Sequence, residues 1–357
     1  MRILHINLEP GWRGGERQTL HLMQGLRELG HASQLLTRKN SPLGDRCRAD
    51  GFPVRHISKP YLGYGRHLRG FDCIQTHEVR GLQLAAAWKP LLGTPLVYTR
   101  RVDFTPSRHW FTKYKYKQAD TVVAISRKIK TILVEWGLDP RRCRLIPSGI
   151  SSEPRGRTER MEQLRQRFGP RPVVGTITSL VDHKDPFTFL QTAAWFQQHK
   201  PEVCFVLVGD GPLRPDLEQR IKALQLNNIQ LEGYQEDPYS YLAVFDCFVM
   251  SSQQEGLCTS ILDAFQHGIP VVATAAGGIP ELVQDRETGL LAPVGQPESL
   301  AAAIATMLDD AGLRRDCTLK AKHLATHRFG IQSMARSYAR VYEELLPSGT
   351  GGACVAS

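Results

Sequence analysis

Strand-like apolar runs alternate with amphipathic helical stretches along most of the chain. Arg2–Leu8 has the apolar character of a strand, and Glu16–Leu29 has apolar residues at three-residue steps, which predicts a helix ended by Gly30. The alternation continues through further strand-like runs: Ala32–Thr37, Phe71–Gln75, Pro95–Tyr98, Thr121–Ile125 and Arg144–Ile146. Such alternation predicts an α/β fold, with parallel sheets covered by helices on both faces.

The alternation is interrupted once, by a polar segment rich in Ser, Arg, Gly and Pro over Ser151–Pro172, and then resumes. A single interruption predicts two domains of the same kind, 1–165 and 170–330, in a chain long enough for about two domains. Two shorter segments are expected to follow: a helix over 331–346 that packs back on the first domain, and a flexible tail over 347–357. Because ligands bind at the carboxyl ends of parallel strands, we expect the site in a cleft between the two facing domains.

The stretch Ser251–Phe265 leads from the end of a strand-like run into a predicted helix that starts near Thr259. Backbone amides at a helix start lack intrahelical partners and lie at the positive end of the helix dipole, so they suit a diphosphate. The expected donor-binding residues at this turn are Gly256, Leu257, Cys258 and Thr259. Glu255 and Asp263 add two carboxylates, one for sugar hydroxyls and one for ribose hydroxyls.

This segment resembles the E-x7-E signature of the large retaining glycosyltransferase family 4. In that family the first acid contacts the donor sugar and the second contacts the ribose. Glu255 and Asp263 occupy these positions, and the shorter aspartate keeps the charge and still bridges a cis-diol. The resemblance implies a hexosyltransferase-like enzyme with a nucleotide-sugar donor and the GT-B fold, which is two facing Rossmann-like domains with an interdomain cleft.

Further segments of the second half resemble the same family. Lys184 ends a stretch that matches the phosphate-binding lysine of relatives, so we expect it on the pyrophosphate. Gly209 lies in a strand-to-helix turn, and Tyr234 ends the strand that presents backbone to the base. Ser179 stands where many relatives have arginine. The grip on the diphosphate is therefore weaker here, or an arginine from the first domain completes it.

The resemblance extends over nearly the whole chain, from Met1 to about residue 346. Gly14 and Gly15 form a turn that lies near the donor phosphates in relatives, where the lack of Cβ atoms allows close approach. Arg101 occupies a position that is often histidine, and arginine cannot act as a base near neutral pH. We therefore expect three cleft residues around the chemistry, with their roles left open and a purely structural role open for the first: His77, Arg101 and Asp103.

Charge divides the chain into a basic and an acidic half. Residues 1–168 hold 31 Lys and Arg against 14 Asp and Glu, whereas residues 169–357 hold 14 against 21. One basic stretch also contains aromatic residues, which suits an anionic bilayer surface and an acceptor held there: Arg108, Trp110, Phe111, Lys113, Lys115 and Lys117. Similar segments in the family imply an acceptor of lipopolysaccharide-core or other cell-envelope synthesis. A solvated basic helix is the alternative.

The sequence also predicts that several features are absent: a membrane-spanning helix, a metal and a cofactor. No apolar run reaches the length of about 18 residues that a membrane-spanning helix needs, so we expect a cytoplasmic protein that is peripheral on the inner face of the membrane. No Asp-x-Asp pair occurs in a strand-end loop, so we expect neither a metal nor a cofactor. The alternatives are a nucleotide-sugar 2-epimerase, an inactive sugar-binding relative, and a nucleic-acid or polyanion binder. The donor base and sugar, the acceptor and the oligomeric state stay open.

Overall fold

The computed structural model describes residues 1–151 and 158–346, and the tail predicted over 347–357 lies outside them. The chain forms two compact units. The first unit combines Met1–Gly149 with the segment that begins at Ile331, and the second is Ile150–Gly330.

The first unit contains a seven-stranded parallel sheet in the order β3-β2-β1-β4-β5-β6-β7. Its strands and helices follow one another along the chain as β1 (Arg2–Asn7), α1 (Gly14–Glu28), β2 (Ala32–Arg38), α2 (Pro42–Ala49), β3 (Val54–Ile57), β4 (Cys73–Thr76), α3 (Val79–Leu92), β5 (Leu96–Arg100), α4 (Trp110–Gln118), β6 (Thr121–Ala124), α5 (Arg127–Trp136) and β7 (Cys143–Leu145).

The second unit contains a six-stranded parallel sheet in the order β10-β9-β8-β11-β12-β13. Its elements, with the last helix of the chain, are α6 (Glu159–Phe168), β8 (Val173–Ile177), α7 (Pro186–His199), β9 (Cys204–Val208), α8 (Arg214–Ala223), β10 (Ile229–Gly233), β11 (Cys247–Met250), α9 (Thr259–Gln266), β12 (Val271–Thr274), β13 (Leu290–Ala292), α10 (Pro297–Asp309), α11 (Ala311–Arg328) and α12 (Ile331–Leu345).

Both sheets have the burial expected of parallel strands with helices on two faces. Every residue of β5 and of β9 is buried, so these strands carry continuous apolar or hydrogen-bonded side chains instead of an alternating pattern. In a parallel sheet all carboxyl ends lie along one edge, and the segments after each strand collect there. The structure thus confirms the predicted α/β fold with two Rossmann-like units, whereas a ligand site between facing domains stays a prediction.

The last helix belongs to the core of the first unit. Tyr338 of α12 is 1 % exposed and Tyr342 is completely buried. The hydroxyl of Tyr338 lies 2.7 Å from Oγ1 of Thr99, and the hydroxyl of Tyr342 donates to Oε1 of Gln75 at 2.9 Å. Aromatic burial and two internal hydrogen bonds therefore fix α12 to the strands β4 and β5.

The division between the units falls at Gly149 and Ile150, earlier than the boundary expected at 165–170. The reason is α6, which packs within the second unit. Nε of Arg165 donates to the carbonyl of Ala243 at 3.2 Å, and Arg167 forms an ion pair of 2.6 Å with Glu232 of β10. The helix also buries Met161, Leu164 and Phe168, but its charged residues outnumber these three, which is why the helix reads as part of a linker.

Candidate functional site

The loop between β11 and α9 is fixed by the turn that follows β8. Oγ of Ser251 donates to the carbonyl of Asp185 at 2.8 Å. The backbone N–H of Gln253 donates to the carbonyl of His183 at 2.9 Å. These bonds bring the loop against the turn Asp182–Lys184, although about 70 residues of chain separate the two segments.

The same loop is held from its other side by the segment after β12. Oγ1 of Thr274 donates to the carbonyl of Ser252 at 2.6 Å. The backbone N–H of Gly278 donates to the carbonyl of Glu255 at 2.8 Å. The backbone of the loop is thus held by the segments that follow β8 and β12, the two strands next to β11. These backbone contacts fix the position of Glu255.

Glu255 and Lys184 form an ion pair at this position. Nζ of Lys184 donates to Oε1 of Glu255, and the side chains are 20 % and 7 % exposed. Oγ of Ser252 donates to the same carboxylate oxygen at 3.1 Å. The sequence placed the lysine on the pyrophosphate and the acid on the sugar, but did not predict that the two would neutralise each other.

The start of α9 lies directly beyond the ion pair. Gly256 and Leu257 are buried, and Cys258 adopts a left-handed conformation with φ of 45° before Thr259 opens the helix. No described side chain caps this end of α9, so its first amides are not occupied by a cap. Burial raises the pKa of the Cys258 thiol, and the Glu255 charge adds to this, so the thiol is neutral.

Asp263 lies within α9 and is 7 % exposed. Its backbone carbonyl accepts from the backbone N–H of His267 at 3.1 Å, and it lies 2.8 Å from Nδ1 of the same residue. The two predicted carboxylates are thus both buried, one in the loop before α9 and one inside the helix. Buried carboxylates in a loop and helix of this kind can bond the hydroxyls of a ligand strongly, because water competes poorly with them.

Gly209 has a structural reason to be glycine. Its φ is +137°, and a Cβ atom there would lie 1.8 Å from the carbonyl oxygen of Thr178. The turn after β9 therefore packs backbone to backbone on the segment after β8. Tyr234, which follows β10, is 65 % exposed. Its role at a base and that of Gly209 at a donor stay predictions.

The first unit places one histidine at the carboxyl edge of its sheet, in contact with a second histidine inside β1. His77 directly follows β4, and its Nε2 lies 3.1 Å from Nδ1 of His5 in the neighbouring strand β1. The rings are stacked, with centroids 5.3 Å apart. Burial lowers the pKa of His5 to about 3 and lowers the pKa of His77 well below its usual 6.5, where the charges of His5 and Arg101 add to the effect. His77 is therefore neutral and a poor base, and sequence reasoning missed its partner His5.

Arg101 directly follows β5, the strand next to β4. Its Nη1 donates to Oγ of Ser148 at 3.3 Å, and a Cβ on Gly15 would lie 3.7 Å from its Cδ. The arginine thus lies beside the start of α1, which Gly14 opens. Asp103 follows in the same segment and is partly buried.

Most of the basic stretch forms α4. The prediction that its cations all lie on the surface is wrong for one of them. Trp110 is 71 % exposed, and Arg108, Lys113 and Lys117 are exposed as expected. Lys115 is instead only 7 % exposed, with its ammonium 5.1 Å from the centre of the Phe111 ring. Lys115 shares a helix face with Phe111 because they are four residues apart, so it packs inward and cannot join a surface patch.

Glu78 is a further candidate that sequence reasoning missed. It caps α3, and its Oε1 accepts from the backbone N–H groups of Leu8 at 3.2 Å and Gly81 at 2.5 Å. Burial raises the pKa of Glu78 to about 7, against the lowering effect of these hydrogen bonds. An acid directly after His77 at a strand end is a sequence signal that could have found it.

A groove of about 600 Å³ runs beside α3, and we call it the α3 groove. Apolar lining comes from residues after β3 and from α3, and two cations also line it: Pro60, Tyr61, Leu62, Leu84, Lys59 and Arg80. Arg80 pairs with Glu9 at 2.9 Å, whereas Lys59 is exposed and makes no ion pair within residues 1–151 and 158–346. The predicted site did not include this groove.

The structure bears on two features that the sequence predicts to be absent, a membrane-spanning helix and a metal site. Across the described part of the chain, the helices are too short or too polar to cross a bilayer. Among those same residues, no three His, Cys, Asp or Glu side chains are grouped so as to hold a metal ion. Metal independence stays a prediction.

Two family models match the chain, one for each unit. The model described as a glycosyl transferase 4-like domain matches residues 13–149. The model described as glycosyl transferases group 1 matches residues 158–324. Together they span most of the sequence, including the loop before α9 and the strand ends at His77 and Arg101.

Three curated relatives are named as glycosyltransferases of particular kinds. The GDP-mannose-dependent alpha-mannosyltransferase of Mycobacterium tuberculosis is 26 % identical over 94 % of this chain and 92 % of that protein. The UDP-Gal:alpha-D-GlcNAc-diphosphoundecaprenol alpha-1,3-galactosyltransferase of Escherichia coli is 25 % identical, over 87 % and 88 %. The lipopolysaccharide core biosynthesis glycosyltransferase LpsE of Rhizobium meliloti is 30 % identical, over 48 % and 49 %. The chain thus spans about half the length of some of the curated relatives it matches.

A solved structure gives the same fold. The crystal structure of Anabaena HepE in complex with UDP and glucose matches with a TM-score of 0.87 at 22 % identity, over 96 % of this chain and 99 % of that one. Two parallel sheets, two matching family models and transferase relatives along nearly the full length all agree. The chain belongs to the group 1 glycosyltransferases, the family 4 enzymes of the GT-B fold.

Proposed function

We propose that this protein transfers a sugar from a nucleoside diphosphate sugar to a glycan or glycolipid acceptor, in the synthesis of lipopolysaccharide core or another cell-envelope polysaccharide. The observation that carries the proposal is the loop before α9. It places a lysine, a buried glutamate and an uncapped helix start within one small region. This set of groups suits a diphosphate joined to a sugar.

The chemistry follows from where charge develops. When the sugar leaves, negative charge builds on the β-phosphate oxygen. The amides that open α9 and the ammonium of Lys184 stabilise that charge, and they need no reorientation because the loop is already fixed. Glu255 then serves the sugar hydroxyls, and Asp263 serves the ribose.

Lys184 and Glu255 exchange partners in this scheme. Each neutralises the other before the donor arrives, which avoids the large penalty of burying a single charge. A diphosphate takes the lysine, and sugar hydroxyls take the carboxylate. The donor is thereby recognised at both ends by one pair of residues.

Retention of anomeric configuration is implied by the family resemblance, through same-face attack assisted by the leaving phosphate. The neutral His77 is compatible with this course, because a ring with so low a pKa cannot serve as an effective general base near neutral pH. In this scheme the leaving phosphate takes the acceptor proton.

A thermal-shift screen against UDP, GDP and ADP sugars tests the donor, because a bound ligand stabilises the folded state by mass action. The stabilising donor is then used in a transfer assay. Glu255→Gln is expected to reduce the shift and to slow transfer strongly. Asp309→Asn is the matched control, since Asp309 also pairs with a lysine, Lys200, at 2.6 Å, but on the surface. No shift with any donor would contradict the proposal.

We propose that the acceptor is lipid-bound and meets the first unit at an anionic membrane surface. Trp110 and the exposed cations of α4 supply an aromatic anchor and positive charge. The α3 groove adds an apolar channel beside Lys59, which suits an alkyl or isoprenyl chain next to a phosphate. Relatives named for a diphosphoundecaprenol-linked glycan and for lipopolysaccharide core support this class of acceptor.

Vesicle flotation tests the surface. Binding to vesicles with anionic lipid is expected to exceed binding to neutral vesicles, and Trp110→Ser with Lys113→Gln is expected to abolish the difference. Lys222→Gln, an exposed lysine of the second unit, is the control. Equal partition of the unaltered protein to both vesicles would reject the surface. For the groove, Leu62→Ser is expected to raise the acceptor KM and leave the donor KM unchanged.

Product analysis separates the alternatives. A 2-epimerase would change the nucleotide-sugar without any acceptor, whereas the proposed enzyme needs one. An inactive relative would bind the donor without slow hydrolysis. A polyanion binder would shift random duplex DNA in a salt-dependent way without responding to nucleotide-sugars.

A further inference from the structure

The guanidinium of Arg101 is held at one nitrogen and unsatisfied at the other two. Nη1 donates to Oγ of Ser148 at 3.3 Å. Nε and Nη2 are shielded from solvent and have no hydrogen-bond partner among residues 1–151 and 158–346. Buried donors of a charged group are costly to leave unpaired, so such atoms call for an acceptor.

The two unsatisfied atoms form one edge of the guanidinium. The N–H groups of Nε and Nη2 point the same way and match the spacing of two oxygens on a carboxylate or phosphate. The bond from Nη1 to Ser148 fixes the plane of the group from the opposite side. The arginine is therefore oriented for two-point binding before any ligand arrives.

The surroundings supply no anion that completes this edge. The charge of one carboxylate, that of Glu16, acts on Arg101, and this carboxylate accepts from the backbone N–H of Arg13 at 2.9 Å. Burial raises the pKa of Glu16, and burial also lowers the pKa of Arg101. Burial therefore disfavours the charged form of both groups, and Nε and Nη2 of Arg101 have no partner among the described residues.

The end of the neighbouring strand β4 also carries a buried nitrogen atom without a partner in the part of the chain that the structure describes. Nδ1 of His77 is buried and also lacks a partner among the described residues. Since β4 and β5 are adjacent in a parallel sheet, His77 and Arg101 lie at the same edge. Gly15, at the start of α1, lies along the arginine stem, so backbone amides of a helix start face the same region.

We propose that Arg101 binds an oxyanion of a substrate, a phosphate or carboxylate group, through the N–H groups of Nε and Nη2. The inference rests on the proposed function in that the ligand is a substrate of sugar transfer. The group has two sources, the diphosphate of the donor and an anionic group of the acceptor. Arg101 is then a positioning residue for that group and not an acid or base.

The test uses the full-length protein and two variants. Arg101→Lys keeps a positive charge but loses the two-point edge, and Arg101→Met removes the unsatisfied atoms. Arg69→Gln, an exposed arginine of the same unit, is the control. Inorganic phosphate is expected to raise the Tm of the unaltered protein and of Arg69→Gln above that in chloride of equal ionic strength. In both Arg101 variants the rise in Tm is expected to be clearly smaller than in the unaltered protein. Replacing Arg101 in a Lys184→Gln background is expected to reduce the rise by a similar amount.

Stability without phosphate gives a readout that a structural role would not give. Arg101→Met is expected to match or exceed the Tm of the unaltered protein, because it removes a buried charge without a partner. A merely structural arginine would instead lower the Tm when it is replaced.

Transfer kinetics identify the source of the oxyanion. A rise of about 10-fold or more in the UDP dissociation constant of Arg101→Lys assigns it to the donor, and a similar rise in acceptor KM with unchanged UDP affinity assigns it to the acceptor. Unaltered phosphate response, UDP affinity and both KM values in the two variants would overturn the inference. Failure of the proposed function is a separate result, since it would appear as absent UDP binding with the phosphate response intact.

Discussion

The two units handle charge at their strand ends in opposite ways. In the second unit, Lys184 and Glu255 neutralise each other within a loop that neighbouring strands hold in place. In the first unit, Arg101 and His77 keep buried nitrogen atoms without partners, and burial holds His5 and His77 neutral. In the second unit a ligand must therefore separate an existing ion pair. In the first unit a ligand would supply the missing hydrogen-bond partners.

This difference predicts opposite responses to mutation. Changes in the second unit should lower both stability and activity, because the groups that bind the ligand also hold one another. Changes at the unsatisfied groups of the first unit should separate the two properties. The four predictions below run from the largest expected effect to the smallest.

The first prediction compares a glycine from each unit. Gly209→Ala is expected to destabilise the protein by about 3 kcal/mol or more, because the new Cβ meets backbone and φ is positive. Gly15→Ala is expected to change the free energy of unfolding by less than about 0.5 kcal/mol, since a Cβ there finds ordinary contact distance at a helix start. Denaturant unfolding measures both, and equal effects would remove the contrast in packing.

The second prediction concerns the ion pair. Glu255→Gln is expected to lower kcat by about 100- to 1000-fold, because a charged contact to the reacting sugar is lost. Lys184 is then left without its counter-charge, so the Tm should fall as well. Steady-state kinetics and thermal unfolding check the two parts. If the variant lost activity but gained stability, Glu255 would behave like the unpaired Arg101, and the contrast between the two units would fail.

The third prediction is a pH dependence of stability in the first unit. The folded-state pKa values of His5 and His77 lie below the unfolded value of about 6.5, so their contribution is full above that pH and falls as the pH falls toward the folded values. At about pH 5, His5 is expected to have reduced the free energy of unfolding by about 2 kcal/mol relative to neutral pH, and His77 acts in the same direction.

Glu78 acts in the opposite sense over part of the same range. Its pKa of about 7 exceeds the ordinary value, so it stabilises at low pH and this contribution is lost as the pH rises through its folded value. The difference between the unaltered protein and a His5→Gln, His77→Gln double variant cancels this effect. A difference in stability that does not change with pH would show that the histidines titrate normally.

The fourth and smallest prediction concerns the second acid. Asp263→Asn is expected to raise the donor KM by about 10-fold with a smaller change in kcat, because the lost bond to ribose acts in ground state and transition state alike. Asp263→Glu restores the acid typical of the family and should retain the affinity. Initial rates over a range of donor concentrations decide between these outcomes and an effect on kcat alone.

The loop before α9 was largely predictable as a structure because its parts are local in sequence. The loop and helix over 251–265 form one strand-to-helix turn, so apolar pattern and helix-end chemistry suffice to propose it. The ion pair was not predictable, since Lys184 and Glu255 are 71 residues apart and either charge fits a ligand by itself. The same applies to the stacked histidines, which are 72 residues apart.

Other elements escaped prediction for reasons of pattern. The buried residues of α11 are Cys317, Ala321 and Ala325, small side chains at four-residue steps that do not stand out as an apolar stripe. Lys115 was misplaced because charge was read without helix phase, although its spacing from Phe111 already indicated a shared face. The strand β3, Val54–Ile57, is too short and too polar in its middle to be recognised.

The return of α12 to the first unit has a consequence for how the protein is made. Synthesis proceeds from the amino-terminal side, yet the core around β4 and β5 lacks Tyr338 and Tyr342 until the whole second unit has been translated. The half that is translated second can therefore finish folding before the half that is translated first. Any fragment meant to carry the amino-terminal half alone must have residues 331–346 spliced onto Gly149, or it will expose an open apolar face and aggregate.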